Sequence, residues 1–268
     1  MKTVKDLMSL KGRVAVITGG AGHIGSVMAE ALAECGAKTV LVDINEKGCQ
    51  EKAKRIQKKY SVKTLSLTVD LADAAQTKNI PHKVLDRLKR IDILINCASV
   101  TGRTPLEGWQ VPFEQQSLAS WRKALEVSLT SIFTLIQACA GALKSSGHGS
   151  LINISSIYGM VGPDMSIYKG AKVLGHPAAY DAAKGGVLQL TRYLATILAP
   201  QVRVNAISIG GVLRGHTNPF LSQYCKKTPL KRMASEQDLK GAAVYLASDL
   251  SEYVTGHNLV VDGGWTAW

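Results

Sequence analysis

Cysteine is scarce and badly placed for cross-linking. The five residues Cys35, Cys49, Cys97, Cys139 and Cys225 are odd in number, scattered and free of metal-ligand spacing, which excludes a disulfide framework and a zinc site. A reducing compartment, the cytoplasm, is the expectation. Neither a signal peptide nor an apolar run long enough to cross a bilayer stands out, so no membrane partner is expected. Acidic residues are the scarcer charge, 20 against 32 basic ones, for a net charge of +12. That surplus attracts anions, but part of it lies between Lys47 and Lys63, which reads as a solvated helix and its flank and argues against nucleic-acid binding. No repeat, low-complexity tract or linker interrupts the 268 residues. A chain of that length fits one domain, residues 1–268, burying most of its unfolded surface without staples.

What is present is alternation. Apolar, β-rich runs at Arg13 to Thr18, Lys38 to Asp43, Ile91 to Asn96, Ser150 to Ser155, Val202 to Ile207 and Asn258 to Val261 are expected strands, with another ending at Asp70. Helical patterns separate them at Ile24 to Cys35, Glu46 to Tyr60, Ala119 to Leu143, Ala178 to Leu198 and near Glu236 to Ala247, with an amphipathic stretch reaching Arg90. Strands alternating with helices imply βαβ units and a parallel sheet, an α/β fold.

The first strand runs into Thr18-Gly19-Gly20-Ala21-Gly22-His23-Ile24-Gly25 and then straight into a helix. Glycines there allow a sharp turn and close approach to a pyrophosphate, while the helix start offers unpaired amides and a positive dipole end. Asp43, at the end of the second strand, is placed to accept hydrogen bonds from the adenosine ribose and to repel a 2'-phosphate. Neither Ile44 nor Asn45 supplies a compensating cation. The expected cofactor is NAD(H) rather than NADP(H); a tight βα turn with a strand-end cap is the plainer alternative.

Tyr180 and Lys184 stand four residues apart at the head of an expected helix, hence on one face. A cation beside a phenol lowers its pKa from about 10 by roughly 1 to 3 units, towards useful acid/base chemistry. The same spacing recurs at Tyr168 and Lys172, so spacing alone does not choose between the pairs. Gly175 and Pro177 would end a helix soon after Lys172, whereas Tyr180 opens a long helical pattern.

The glycine loop, Asp70-Leu71, Asn96-Cys97-Ala98, Asn153-Ile154-Ser155-Ser156, Tyr180/Lys184, Arg203-Val204-Asn205 and Val261-Asp262-Gly263-Gly264 occur in an order that resembles the short-chain dehydrogenases/reductases, compact single-domain branch. The resemblance covers nearly the whole chain. It implies a Rossmann-type doubly wound fold, a nicotinamide cofactor, hydride transfer between an alcohol and a carbonyl carbon, and a homotetramer. On matching positions it implies Tyr180 as acid/base, with Lys184 holding the nicotinamide ribose and depressing the tyrosine pKa. Ser156, the second serine of its pair, would donate to the substrate oxygen. Asp70 and Leu71 would flank the adenine, and Asn96 and Ala98 would line the cofactor cleft. Gly19, Gly22, His23, Ile24, Gly25, Asp43, Gly210 and Val212 complete the implied cofactor site. Distance from Ser156 favours Tyr168, but Gly185-Gly186 after Lys184 follows the family pattern and selects Tyr180. The run beyond Ser156 and the Gly-Gly-Trp-Thr-Ala-Trp ending resemble a subgroup met in bacterial surface-sugar and flagellin-glycan pathways.

Choosing Tyr180 leaves residues 159–178 as an inserted loop over the site. With Asp164, Tyr168, Lys169, Lys172 and His176 in the loop, and Arg214, His216 and Asn218 further on, it suits a hydroxyl-rich or anionic substrate. Four positions depart from the family pattern. His23 replaces the second loop glycine, giving the spacing of sugar-nucleotide epimerases. Ser128 stands where an asparagine organises a proton relay, Ser99 replaces a glycine, and Ile209 a proline. Three readings stay open: an NAD(H)-dependent oxidoreductase of a sugar-like small molecule, an epimerase using transient oxidation, and a nucleotide-binding regulator that has lost its chemistry. No metal site is expected.

Overall fold

The computed structural model describes residues 1–101, 104–171 and 175–268. Seven strands form one parallel sheet: β1 (Val14–Thr18), β2 (Lys38–Asp43), β3 (Thr64–Thr68), β4 (Ile93–Asn96), β5 (Gly149–Ser156), β6 (Val202–Ile209) and β7 (Asn258–Val261). Their spatial order is β3-β2-β1-β4-β5-β6-β7. The chain winds outward from β1 in one direction and, after β3, in the other. That reversal opens a crevice at the carboxyl ends of β1 and β4, the place where doubly wound sheets bind ligands.

Side chains alternate across each strand, and the core is split accordingly. Val14, Val16, Val40, Val42, Leu94 and Leu151 meet α4 (Ala74–Leu88), α6 (Ser131–Ser145) and α7 (Ala178–Leu198) on one face. Ala15, Ile17, Leu41, Ile93, Ile95 and Ile152 meet α2 (His23–Glu34) and α9 (Lys240–Ala247) on the other. With both faces covered, β1 and β4 are buried along their whole length, which is why they read as unbroken apolar runs.

The expected elements β2 and α3 (Glu46–Tyr60) form over their expected residues. Two helices were not anticipated, α1 (Val4–Met8) and α8 (Phe220–Lys227); both are too short for a sustained apolar period. The expected helix from Ala119 to Leu143 is three pieces in continuous succession, α5 (Leu118–Leu125), a π turn (Glu126–Thr130) and α6. The run Leu118–Ser145 is long and apolar enough to cross a bilayer by length and composition, a correction to the expectation that no such stretch exists. Ile132, Leu135, Ile136, Cys139 and Leu143 spend its apolar face on the core.

Candidate active site

The cofactor crevice is built by close backbone approach. Thr18, at the end of β1, accepts through Oγ1 from the amides of Cys97 (3.0 Å) and Ala98 (3.1 Å), tying the loop after β4 to the loop after β1. Gly19 then turns with φ +70°, and a Cβ there would lie 3.0 Å from the Ala98 nitrogen. At Gly25 a Cβ would lie 2.3 Å from the Gly19 carbonyl oxygen, well inside van der Waals contact. The loop is folded onto the start of α2 so tightly that only hydrogen fits. Gly22 occupies the N-cap position of α2 and supplies no side-chain oxygen, so no N-cap side chain covers the positive end of the helix. Asp43 is fixed beside this loop, Oδ2 accepting from the Ala21 amide (2.9 Å) and Oδ1 from that of Asn45 (3.0 Å). A cradle any Cβ would fill, an uncapped helix start and an anchored carboxylate on the next strand fit a dinucleotide's pyrophosphate and ribose.

The other expected cofactor residues divide. Gly210 donates to the Val261 carbonyl (3.0 Å), and a Cβ there would meet Asp262 at 2.8 Å; Val212 bridges to Ala234 nearby. Asp70 closes its own turn, accepting from the Ala72 amide (2.9 Å), while Leu71 is buried in the core. Asn96 faces inward: its Nδ2 donates to Asn153 Oδ1 (2.8 Å), and Asn153 Nδ2 to Thr191 Oγ1 (2.9 Å), so the side chain pins β4 to β5 and α7. The His23 ring, 59 % exposed, lies 3.6 Å from Glu236 Oε1, which is also 3.5 Å from Arg214 Nε.

The two serines at the end of β5 have separate partners. Ser155 Oγ donates to the Lys184 carbonyl (2.9 Å) and is absorbed in holding α7. Ser156 Oγ accepts from the Tyr158 amide (3.2 Å) and stands close enough to Tyr180 to lower the pKa of its phenol. This division agrees with choosing the second serine. Tyr180 is held by the start of α7: Pro177 is its N-cap, and Gln116 clamps the entry, accepting from the Ala178 amide (3.0 Å) and donating to the His176 carbonyl (2.9 Å). Sequence reading missed Gln116, which is 64 residues from Tyr180 and carries no motif. Tyr168 sits in a short 3-10 turn, Met165–Tyr168, rather than heading a helix; its spacing partner Lys172 lies outside the described residues.

Lys184 is buried, 3 % exposed, with Nζ donating to the Ile154 carbonyl (2.9 Å) and 5.6 Å from the centre of the Tyr180 ring. Burial pushes the ammonium down to about 8. Burial also raises the Tyr180 phenol; the Ser156 hydroxyl lowers it, and the neighbouring Asp181 charge raises it further. A stability signature follows. Between pH 8 and the ordinary lysine range near 10.4 the unfolded chain holds a proton on Lys184 that the folded chain has released, so this group's destabilising contribution fades as pH rises across that window. The urea stability gap between Lys184→Met and wild type should therefore shift in favour of wild type by roughly 2 to 3 kcal/mol from pH 7 to pH 10. A gap that does not move with pH contradicts the burial cost.

A family model described as enoyl-(acyl carrier protein) reductase matches residues 19–266. The chain belongs to the short-chain dehydrogenase/reductase family. It is 33 % identical over 265 residues to a 2,5-dichloro-2,5-cyclohexadiene-1,4-diol dehydrogenase of Sphingobium indicum, covering 96 % of this chain and 97 % of that protein. Among solved structures it resembles a gluconate 5-dehydrogenase from Burkholderia cenocepacia in complex with NADP and tartrate, with TM-score 0.85, 31 % identity, and 99 % and 100 % of the two chains covered. A short chain dehydrogenase from Leptospira borgpetersenii with bound NAD+ superposes with TM-score 0.83 at 34 % identity, covering 99 % and 96 %.

Two departures from the family pattern touch each other. Ser128, in the π turn, is 1 % exposed and accepts from the Val100 amide (3.0 Å) and the Ser99 hydroxyl (3.1 Å). Its hydroxyl secures the loop after β4, and Ser99, in the glycine's place, provides half of that contact. The inserted loop is likewise partly structural: Asp164 pairs with Lys227, and the Lys169 carbonyl accepts from Gln223 (2.9 Å), fastening it to α8. Trp265 is buried and stacks on Tyr224 at 4.4 Å, whereas Trp268 is 79 % exposed. Sequence reading also passed over Lys52 of α3, whose Nζ donates to the Gly22 carbonyl (3.1 Å) and Ser26 Oγ (3.0 Å). Without a neighbouring motif its arrival at the loop was not legible.

Proposed function

We propose that the protein interconverts an alcohol and a carbonyl on a polar, sugar-like small molecule, using NAD(H). The observation that carries this is the convergence of Ser156 and the buried Lys184 on Tyr180, in a chain whose glycine loop is shaped for a dinucleotide. Bound nicotinamide supplies the acceptor or donor for the hydride. In the oxidative direction Tyr180 takes the hydroxyl proton as the carbonyl forms, and in the reductive direction it returns that proton. Ser156 donates to the substrate oxygen, where charge develops. Lys184 holds the cofactor's ribose and keeps a positive charge beneath the phenol, offsetting the cost of its ionisation in a buried site. The named activities of the relatives support an alcohol substrate bearing further oxygens.

Asp43 supports NAD(H) over NADP(H): its anchored carboxylate would repel a 2'-phosphate, a repulsion set against the nearby Lys52 ammonium, which is bound to the Gly22 carbonyl. Steady-state assays with both cofactors test this. Wild type should favour NAD+ by about tenfold or more in kcat/KM, corresponding to ~1.4 kcal/mol, and Asp43→Ala should bring the two near parity. A wild type that favours NADP+ overturns the assignment. The exposed apolar residues Phe133, Tyr193 and Ile197 on α6 and α7 support the homotetramer that the family resemblance implies. The five free thiols suit a cytoplasmic setting.

A further inference from the structure

Next to Tyr180 stands a second polar array that the proton exchange with Ser156 does not use. His176 Nε2 is 2.6 Å from Asp181 Oδ1, the residue after Tyr180. Asp181 lies in the first turn of α7, where the helix dipole favours its negative charge. A carboxylate only accepts, so Nε2 carries the donated hydrogen, and in the neutral ring Nδ1 is left as an acceptor. It faces the Tyr168 hydroxyl at 3.4 Å, and that hydroxyl is 3.5 Å from the hydroxyl of Tyr158. The Tyr158 ring packs on His176 with centroids 4.5 Å apart, and the His176 ring meets Tyr180 edge-on at 6.0 Å. The Tyr158 amide donates to Ser156 Oγ (3.2 Å), so the array adjoins both residues proposed to meet the reacting oxygen.

Its internal bonds are uneven. The His176–Asp181 contact is short and charge-assisted, while the two hydroxyl contacts lie at the long limit of hydrogen bonding. A guest hydroxyl entering between Tyr158, Tyr168 and Nδ1 would exchange two weak bonds for two of normal length. Burial raises the pKa of both tyrosines, so they stay neutral donors, and the Asp181 charge behind His176 disfavours a carboxylate guest. The residues around them are tied down, because Gln116 holds the His176 carbonyl and α8 packs on the 3-10 turn carrying Tyr168.

We infer that His176, oriented by Asp181 and assisted by Tyr168 and Tyr158, binds a second hydroxyl of the substrate, on a carbon next to the one oxidised. This rests on the oxidoreductase reading of the site. It makes His176 and Tyr168 specificity-determining residues, Asp181 a positioning residue, and the substrate class a vicinal diol or its hydroxyketone.

The test compares matched pairs, trans-cyclohexane-1,2-diol with cyclohexanol and butane-2,3-diol with 2-butanol, assayed with wild type and NAD+ or NADP+. A site built around a hydroxyl rejects the analogue lacking it, so the diol-to-monoalcohol ratio of kcat/KM should exceed about tenfold. In His176→Ala and Tyr168→Phe the ratio should fall towards one, mainly through KM. The ratio does not depend on how much of a variant folds, and a merely structural role for the array would lower both members alike and leave it unmoved. A wild type indifferent to the second hydroxyl, or a preference that survives both substitutions, overturns the subsite alone. No turnover of any member by wild type, with NADH accumulating on other polyols, overturns the subsite alone; no turnover across polyols, sugars and cyclic diols overturns the oxidoreductase reading and the subsite with it.

Discussion

Tyr180→Phe should cost about a hundred- to ten-thousandfold in kcat while leaving cofactor affinity within a fewfold of wild type. The magnitude is that of a positioned acid/base in a transition state. The substitution removes one oxygen and keeps the ring, which packs beside Val100, Trp109 and Ala179, so the fold should persist. What disappears is the group proposed to exchange the substrate's proton. Tyr168→Phe provides the contrast, because its hydroxyl faces His176 and Tyr158 rather than Ser156. It should act on KM and spare the proton exchange. Turnover by the Tyr180 variant comparable to wild type, measured as cofactor reduction at saturating alcohol, would remove Tyr180 from its assigned role.

Gly25→Ala should abolish measurable dinucleotide binding, weakening it by at least a hundredfold, or about 2.7 kcal/mol. The added methyl would sit 2.3 Å from the Gly19 carbonyl oxygen and 2.8 Å from its carbon, and both are backbone atoms with no rotamer to yield. Relief requires the loop to move away from α2, which displaces the glycine turn from the helix start. Isothermal titration with NADH reads the effect directly, and circular dichroism separates it from unfolding. Gly141 of α6 is a fair control, since a Cβ there meets nothing within 4 Å. Wild-type affinity in the Gly25 variant would mean the loop tolerates rearrangement and does not cradle the cofactor.

Much of this was legible in the sequence because the signals are local. The apolar runs of β1 and β4 record burial on both faces. The glycine loop records a turn only hydrogen can fit, and Pro177 followed by a long apolar period marks the start of α7. Residues brought in by tertiary approach were not legible. Lys52 reaches the Gly22 carbonyl from the next βα unit, and Gln116 clamps α7 from 60 residues before His176. Asp181 lay inside the inspected Tyr180–Lys184 stretch, yet only the fold shows that it turns back to His176. Asn96 shows the opposite case, a motif residue whose side chain the fold commits to the interior. The pKa of Tyr180 follows the same rule, because spacing reports the nearby cation but not the desolvation that raises the phenol.

The central claim is that this crevice carries out net redox chemistry on an alcohol. The most direct measurement is NADH fluorescence during incubation of the purified protein with NAD+ and a panel of polyols, sugars and cyclic diols. Steady accumulation of NADH with at least one of them, lost in Tyr180→Phe, is the predicted result. Cofactor that binds while NADH never accumulates, and is never consumed with the matching carbonyl compounds, would contradict it.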